Sequence, residues 1–482
     1  MSAIVHWFRR DLRVRDNTSL FHAARDGNGV VPVFVLDDHY ASDPAATNGA
    51  GGTARVGPAR FRFLRESLEA LAASVAALGG RLILLRGPAA EALPRLLEET
   101  GARAVYANAE IGPYPESRDA SVHEALFARG ARLRLFQDSL LVDPERMATD
   151  AGDPYTVYTP FAKRWASEEK ASPLSEPASL GGPLAASVLI ERVRAWRDLG
   201  PDAGAPRGGE DEALRLLERF RRGPMSRYAE DRNLPELPGT SRLSPHLHFG
   251  TISPRTAHAA ASEVAASGSD RGSARKWIAE LAWREFYHSI LFHFPRVGRE
   301  SFRRDLDGLG WRDDTARLAA WKRGETGFPL VDAAMRELTT THWMHNRARM
   351  VAASFLTKDL HVHWREGERW FEHELADADQ ANNNGGWQWA AGTGTDAAPF
   401  FRIFNPVLQS RRFDPQGKYI RRFVPALSRV PDARIHEPWT MSSAEQGGFG
   451  CRIGRDYPAP IVDHAAERRV ALDMWEAIKK GA

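Results

Sequence analysis

The first 136 residues alternate short apolar runs, rich in β-branched residues, with longer amphipathic stretches. Five apolar runs predict β-strands, at 3–8, 30–36, 81–87, 104–108 and 132–136. Two stretches with an apolar residue every three to four positions predict helices, at 59–78 and 89–100. Continuously apolar strands that alternate with helices are typical of a parallel sheet covered on both faces. We therefore predict an α/β domain whose ligands lie at the carboxyl ends of the strands.

The rest of the chain has a different pattern. Residues 137–209 include two segments rich in Pro, Gly, Ala and Ser, at 171–184 and 198–209, which are typical of a connector. A connector of this length is expected to pack on the domains that it joins. After it, strand signals are absent and helices are predicted at 212–222, 273–294, 328–360 and 365–377. We predict an α/β domain over 1–136, a connector over 137–209 and a larger all-α domain over 210–482.

Composition and charge narrow the class of protein. The chain has 482 residues, 43% hydrophobic and 26% charged, and these ordinary values exclude a disordered, collagen-like or coiled-coil protein. Its 65 basic and 62 acidic residues leave a net charge of +3, so a nucleic-acid footprint has to be local. The single cysteine, Cys451, forbids an intrachain disulfide and is typical of a reducing compartment.

No segment of the sequence indicates export or membrane insertion. The start, MSAIVHWFRRDL, lacks the features of a signal peptide, and the apolar runs are too short to span a bilayer. The histidines at 246–248 and 361–363 lack the cysteine partners or HExxH spacing of a metal site, which favours packing or surface roles. We expect a cytoplasmic, monomeric protein that binds neither a metal nor a membrane.

The strongest candidate for chemistry is residues 377–406, DADQANNNGGWQWAAGTGTDAAPFFRIFNP. The Asn-Asn-Asn-Gly-Gly run predicts a loop rather than a helix interior. Trp387, Trp389, Phe400 and Phe401 would be its aromatic walls. A heteroaromatic ligand with ring nitrogens and carbonyls would satisfy the polar groups of such a loop. A capping loop rich in Asx turns explains the same residues equally well, so the residues alone leave both interpretations open.

Two predicted helices place polar residues on one face. Along 343–350, Arg349 and Met350 lie three and four positions after Asn346, and an inward Arg349 would need a carboxylate from Asp377 or Asp379. Along 280–287, Glu280, Trp283 and Arg284 have the same spacing. This second set is explained by a surface ion pair or by a site in which an acceptor and a ring contact a base.

Two further clusters of residues are weaker indications of a binding site. Residues 240–244, TSRLS, offer hydroxyls and a cation for a phosphate, although capping of the next helix is the commoner use of such residues. Basic and aromatic residues alternate over 401–423, which is compatible with a nucleic-acid groove or a solvated face. The basic members are Arg402, Arg411, Arg412, Lys418, Arg421 and Arg422.

Several motifs, in this order, resemble those of the photolyase–cryptochrome flavoprotein family. They are FRRDLRVRDN, TSRLS, ELAWREFY, TGFPLVDAAMREL, WMHNRARM, WREGERWF and the whole of 377–406, and the resemblance covers about residues 4–440. It implies an α/β antenna domain followed by a helical domain that holds FAD in a folded conformation. Within the family the chain looks like a class I photolyase specific for cyclobutane pyrimidine dimers.

The resemblance also implies which residues bind FAD. The residues matched to the phosphate and ribityl contacts are Tyr228, Thr240, Ser241, Arg242, Leu243 and Ser244. Asp377, paired with Arg349, and Asp379 would contact the ribityl chain and the ring system. Asn383 would face flavin N5, where plant-type cryptochromes are expected to carry Asp, so this residue favours an enzyme.

A lesion site is implied by the same comparison. Glu280, Asn346 and Met350 match residues that line a dimer pocket, with Trp283 and Trp389 as its aromatic wedge. Arg232, Arg347 and Arg402 are the candidates for contacts to DNA phosphates. The implied activity is light-driven repair of the dimer by an electron from excited, reduced FAD, on a lesion flipped out of the DNA. The alternative is a cryptochrome-like blue-light receptor with the same flavin pocket.

Two light-related features complete the implied function. Trp387, Trp364 and Trp311 match a chain of tryptophans that carries electrons between flavin and surface. Residues 104–119 resemble the antenna-binding segment of photolyases that use a deazaflavin, although Ala107, Gly112 and Glu116 depart from the expected pattern. A deazaflavin is therefore the first expectation, with folate, a second flavin and an empty antenna pocket left open.

Overall fold

A computed structural model describes residues 2–37, 57–183, 204–267, 271–397, 399 and 402–481. Its first domain contains one sheet of five parallel strands in the order β3-β2-β1-β4-β5. The strands are β1 (Ile4–Phe8), β2 (Val30–Leu36), β3 (Ile83–Arg86), β4 (Ala104–Asn108) and β5 (Arg132–Phe136). The predicted parallel α/β domain is confirmed, with strand boundaries within two residues of the predicted ones.

Helices cover both faces of the sheet because alternate strand residues point to opposite sides. Phe8 and Phe34 pack on one face, and Val5, Trp7 and Val33 pack on the other. The helices of this domain are α1 (Thr18–Asp26), α2 (Pro58–Ala77), α3 (Ala89–Thr100) and α4 (Pro113–Phe127). The strand order reverses between β1 and β4, and in such sheets ligands bind in the crevice outside the carboxyl ends at that point.

The described part of the connector packs on the helical domain through residues 141–165. Its helix α5 (Tyr158–Ser167) inserts Phe161 and Trp165 into a core that it shares with that domain. Glu285 fixes this arrangement because its carboxylate accepts hydrogen bonds from the Val142 amide at 3.1 Å and the Trp165 indole at 2.7 Å.

The second domain is helical, as predicted. Its helices are α6 (Glu210–Arg222), α7 (Tyr228–Asp231), α8 (Ser244–Phe249), α9 (Pro254–Ser267), α10 (Arg271–His293), α11 (Thr315–Arg323), α12 (Pro329–Thr341), α13 (Asn346–Lys358), α14 (Trp364–Glu374), α15 (Gln380–Ala391), α16 (Pro406–Phe413), α17 (Lys418–Phe423), α18 (Asp432–Ile435), α19 (Ser443–Phe449) and α20 (His464–Gly481). Within the described ranges, none of these helices is long and apolar enough to cross a membrane. Cys451 is fully buried in the main helical core.

The helix predicted over 328–360 is two helices, α12 and α13. His342 ends α12 in the left-handed conformation, with φ of 54°, and His345 caps α13 by accepting a hydrogen bond from the Arg347 amide at 3.1 Å. The apolar periodicity hides the break because Leu338, before it, and Ala348, after it, face the same core. The motif at 343–350 is therefore helical only from Asn346 onward.

The prediction of a loop at the Asn-Asn-Asn-Gly-Gly run was wrong, because these residues lie inside α15. Tertiary hydrogen bonds replace the missing helix propensity: the Asn384 amide donates to the Val297 carbonyl at 3.0 Å, and the Gln388 amide donates to the same carbonyl at 3.2 Å. Gly385 is required by contact, since a Cβ there would lie 2.1 Å from the Tyr287 ring. Packing on neighbouring elements therefore overrides the local preference of the sequence.

A buried charge cluster joins the two domains. Asp138 of the connector accepts hydrogen bonds from Arg13 at 2.5 Å and from Arg255 at 2.7 Å, while Arg255 also donates to Asp16 at 2.8 Å. All four side chains are almost completely buried. Burial alone would raise the pKa of Asp138, but the two guanidinium groups hold it well below its usual value. The carboxylate is therefore ionised and its charge is balanced.

Replacing Asp138 with Ala should destabilise the protein by about 3–5 kcal/mol, because two buried cations lose their shared partner. Chemical denaturation followed by tryptophan fluorescence would measure the loss. The matched control is Asp211→Ala, which breaks the exposed Arg15–Asp211 pair and should cost about 0–1 kcal/mol. Equal effects of the two substitutions would contradict a structural role for the buried cluster.

Candidate functional site

A cavity of about 510 Å³ opens among α7, α8, α10, α13, α14 and α15. The structure brings most of the predicted site residues to its wall: Tyr228, Arg232, Ser241, Leu243, Ser244, Glu280, Trp283, Asn346, Arg347, Arg349, Met350, Asp377, Asp379, Asn383, Trp387 and Trp389. The wall does not include Thr240, Arg242, Arg402, Trp364 or Trp311. Residues separated by more than 150 positions in the sequence therefore share one pocket.

The predicted ion pair inside the cavity is confirmed for Asp377. Arg349 donates to Asp377 Oδ2 at 2.8 Å and to the Met344 carbonyl at 2.8 Å, and the Ser244 hydroxyl also donates to Asp377 Oδ2. The other oxygen, Asp377 Oδ1, is buried and has no hydrogen-bond partner among the described residues. A buried carboxylate oxygen of this kind is an acceptor available to a ligand hydroxyl or N–H.

Asp379 has a structural role at the start of α15. Its Oδ1 caps the helix by accepting from the Asn382 amide at 3.0 Å, and its Oδ2 lies 3.3 Å from His288 Nε2 and 3.5 Å from His248 Nδ1. Burial alone would raise the pKa of Asp379, but His288 and His248 hold it well below its usual value. The sequence predicted packing or surface roles for the histidines at 246–248 and did not identify His288.

Asn383, on the same helix, is fixed by a backbone contact. Its amide nitrogen donates to the Glu368 carbonyl of α14 at 3.0 Å. With the NH₂ group held there, the amide oxygen is the group left for a ligand in the cavity. Gly386 lies one turn along α15 from Asn382 and also lines the cavity, and a Cβ at this position would meet no atom within 4 Å. The backbone of α15 is therefore open to a close ligand.

The more exposed part of the cavity carries the predicted lesion residues. Arg232 donates to the Glu280 carboxylate, and the Asn346 amide lies 3.8 Å from Met350 Sδ. The Trp283 ring stacks on Tyr158, with centroids 3.5 Å apart and an interplanar angle of 7°. Tyr158 belongs to the connector and was missed by sequence reasoning, because nothing in the sequence places α5 beside α10. The connector thus fixes the orientation of Trp283.

The predicted DNA-contact arginines differ in their surroundings. Arg347 donates to Asn233 Oδ1 at 2.6 Å and lies 4.4 Å from the Phe413 ring, at the wall of the cavity. Arg402 is exposed. In the basic segment 401–423, three members form ion pairs, so part of its charge is neutralised: the pairs are Arg411–Glu437, Lys418–Glu236 and Arg421–Asp432.

The three predicted chain tryptophans run from the core toward the surface. Trp387 and Trp364 are 2% and 1% exposed, whereas Trp311 is partly exposed. Trp387 packs directly on the backbone of Gly367, where a Cβ would lie 2.0 Å from the indole. Gly367 is three residues from Trp364 on α14, so Gly367 and Trp364 lie on one face of that helix. Sequence reasoning missed Trp321, whose ring lies 6.0 Å from that of Trp387.

Two remaining predicted contacts lie beside the cavity. The Arg242 guanidinium stacks over the Trp343 ring at 4.2 Å, and burial lowers its pKa. Thr240 directly precedes the cavity residue Ser241. Phe400 and Phe401, predicted as aromatic walls, lie outside the described residues.

The cavity fits a ligand of the size and chemistry of FAD. Its volume lies in the range of small-molecule and cofactor sites, and its wall combines indole rings with a few fixed polar groups. The unpartnered Asp377 Oδ1 and the open backbone at Gly386 provide an acceptor and room for close approach. Tyr228, Ser241, Leu243 and Ser244 line the same cavity beside the Arg349–Asp377 pair, as the cofactor assignment requires.

Comparison with known proteins gives matches over most of the chain. Residues 4–178 match the family model described as DNA photolyase, and residues 277–477 match the one described as FAD binding domain of DNA photolyase. The deoxyribodipyrimidine photo-lyase of Agrobacterium fabrum is 41% identical over 490 residues, which cover 99% of this chain and 98% of that relative.

Three solved structures are similar to this chain over nearly its full length. A bacterial class III photolyase from Agrobacterium tumefaciens superimposes with a TM-score of 0.91 at 39% identity, covering 100% of this chain and 98% of the other. A Synechocystis cryptochrome gives 0.90 at 29% identity, with 98% and 99% covered. An archaeal photolyase from Sulfolobus tokodaii with two FAD molecules gives 0.82 at 30% identity, again with 98% and 99% covered.

Two adjacent glycines of α15 allow a test that separates folding from cofactor binding. Gly385→Ala should destabilise the protein, because the new methyl group would overlap the Tyr287 ring. Gly386→Ala should keep or raise stability, since Ala exceeds Gly in helix propensity by about 1 kcal/mol. It should nevertheless weaken FAD retention, because its methyl group enters the cavity.

Thermal unfolding and the ratio of flavin to protein absorbance after gel filtration would measure the two effects. If Gly386→Ala retains FAD as well as the unmodified protein does, the cofactor does not lie against this part of α15.

Proposed function

Because this chain belongs to the DNA photolyase family, we propose that it is a deoxyribodipyrimidine photo-lyase that repairs cyclobutane pyrimidine dimers in DNA under light. The observation that supports this proposal is one cavity whose wall carries residues that the resemblance assigns to the flavin and residues that it assigns to the lesion. Exposure grades along it, since the Glu280 side chain is 30% exposed and that of Asp377 only 2%. The Glu280 carboxylate therefore lies nearer to solvent than the Asp377 carboxylate.

FAD, when bound, supplies the light-absorbing group and the electron that splits the dimer. The residues that would hold it are Ser244, the Arg349–Asp377 pair and the ionised Asp379. Asn383 would present its amide oxygen to the flavin ring, an uncharged acceptor that adds no negative charge beside it. The indoles of Trp277 and Trp387 exclude water from the buried end of the cavity.

Glu280 would accept a hydrogen bond from a pyrimidine N–H of the flipped dimer. Its pairing with Arg232 keeps this carboxylate in place before DNA binds. Trp283, held by Tyr158, presents a flat apolar face to the dimer, and Met350 supplies a flexible one. A dimer stacks and pairs poorly in the duplex, so the cost of flipping is lowest for the damaged site.

DNA phosphates would be contacted by Arg232 and Arg347 at the cavity wall and by the exposed Arg402. Phosphate contacts release counterions, so affinity for damaged DNA should fall as salt concentration rises. Within the family, we assign the chain to class I on its lesion-pocket motifs, since the fold itself is shared with a class III photolyase.

The proposal includes a second, light-harvesting chromophore, with a deazaflavin as the first candidate. A light-harvesting role for a second FAD is implied for the similar Sulfolobus tokodaii photolyase. The crevice beside β1 and β4 holds only about 30 Å³ next to the Arg10–Glu110 ion pair, which is room for water rather than a chromophore. The absorption spectrum of the purified protein would identify the second chromophore by its bands beyond those of FAD.

The direct test of function is repair of an oligonucleotide with one cyclobutane dimer by the reduced, FAD-loaded protein under blue light. We expect light-dependent recovery of intact pyrimidines, with none in the dark and none on an oligonucleotide bearing a 6-4 product. If the protein binds FAD and responds to light but leaves the dimer unrepaired, a cryptochrome-like receptor becomes the better interpretation.

Glu280→Ala should weaken dimer binding or repair by about 1–3 kcal/mol, the cost of a lost buried hydrogen bond. Glu280→Gln is the matched variant, because it keeps the shape of the side chain and an acceptor oxygen. It should lose less dimer binding or repair than Glu280→Ala. Binding to dimer-containing and undamaged oligonucleotides should be measured in parallel. An equal loss on both DNAs would contradict a contact to the lesion.

Trp311→Phe should slow light-driven reduction of bound FAD by an external thiol several-fold, because phenylalanine is harder to oxidise than tryptophan. Repair by enzyme that has been reduced chemically beforehand should be unaffected, since the lesion side of the cavity is unchanged. Equal loss of photoreduction and repair would contradict the assignment of Trp311 to the chain.

A further inference from the structure

An imidazole ring contacts both of the outer chain tryptophans. The His363 ring centroid lies 5.3 Å from that of Trp311, in an edge-on contact at 61°, and 5.6 Å from that of Trp364, in a stacked contact at 27°. These are ordinary aromatic contact distances. One conjugated ring thus touches the donor and the acceptor of the outermost electron-transfer step.

The orientation of this ring is fixed by the backbone. His363 is the N-cap of α14, and its Nδ1 accepts a hydrogen bond from the Arg365 amide at 3.1 Å. An accepting Nδ1 places the ring proton of the neutral form on Nε2. If the ring turned away from the two indoles, its hydrogen bond with the Arg365 amide would be lost. Amides in the first turn of a helix have no partner within the helix, so this loss would be costly.

We propose that His363 is a relay residue that provides the electronic path between Trp311 and Trp364. The inference rests on the proposed tryptophan chain and adds a residue to it. One electron passes from the Trp311 indole to the oxidised Trp364 indole, through the orbitals of the imidazole, which is itself unchanged. Trp364 is thereby restored, and the Trp311 radical cation is reduced by an external thiol, which supplies the electron.

The charge of the relay matters because a positive imidazole would oppose a radical cation on either neighbour. Burial lowers the pKa of His363, and the positive charges of Arg365 and Arg369 lower it further. The negative charges of Glu366 and Asp307 raise it, but the net shift of the pKa is downward. The ring is therefore neutral at pH 7. Protonation is favoured as pH falls, so photoreduction should slow toward acid pH in the unmodified protein and less so when His363 is replaced by Phe.

A capping role alone would explain the same position, and two substitutions separate the alternatives. His363→Asn removes the ring but keeps a side-chain acceptor for the Arg365 amide, because Asn is among the best N-cap residues. His363→Phe keeps an aromatic ring but removes the acceptor. The relay predicts several-fold slower photoreduction in His363→Asn and a rate closer to normal in His363→Phe. A pure cap predicts the reverse order.

Stability gives a readout that does not depend on electron transfer. His363→Phe should lower the melting temperature, measured with and without bound FAD, whereas His363→Asn should stay near the unmodified protein. Transient absorption of tryptophan radicals would locate the slowed step, because the Trp364 radical should persist longer in His363→Asn. Normal photoreduction and normal radical kinetics in this variant would overturn the relay.

Trp311→Phe distinguishes failure of this inference from failure of the chain. If Trp311→Phe slows photoreduction and His363→Asn does not, the chain stands and the relay is wrong. If Trp311→Phe has no effect, the electron leaves by another route and the chain itself is wrong. Repair by chemically reduced protein should be equal in both His363 variants, which shows that the lesion site is intact.

Discussion

The helix α15 is the element on which the site depends, and its stability comes from outside its own sequence. Three asparagines and two glycines make a poor helix in isolation, but Asp379 caps it and the Asn384 and Gln388 amides are satisfied by the Val297 carbonyl. The helix held in this way places Gly385 against Tyr287 and Gly386 at the cavity. Hydrogen bonds to these side chains thus stabilise a helix whose glycine backbone borders the cavity.

Charge is arranged in two separate ways in the molecule. At the domain junction, carboxylates and guanidinium groups balance one another completely, and this cluster holds the α/β domain on the helical one. In the cavity, by contrast, the pairing is incomplete, because Asp377 Oδ1 has no hydrogen-bond partner in the part of the chain that the structure describes. The first arrangement stabilises the fold, and the second leaves a buried acceptor that is available to a ligand.

Much of the fold and of the site could be predicted from sequence, because strand and helix periodicity and long motifs are local signals. The need of a buried cation for a carboxylate predicted that Arg349 pairs with Asp377 or Asp379, and the resemblance singled out Asp377, with which the pair forms. Contacts made across the fold could not be predicted in this way. The Tyr158–Trp283 stack, the histidines around Asp379 and the helical state of α15 each depend on elements distant in sequence.

The central claim is that one cavity holds FAD and a flipped pyrimidine dimer together. A crystal structure of the protein with FAD and a dimer-containing duplex tests it most directly. We expect the flavin ring beside Asn383 and the dimer between Glu280 and Trp283, within van der Waals reach of the flavin. A dimer bound outside the cavity, or FAD bound away from Asp377 and Asn383, would contradict the account.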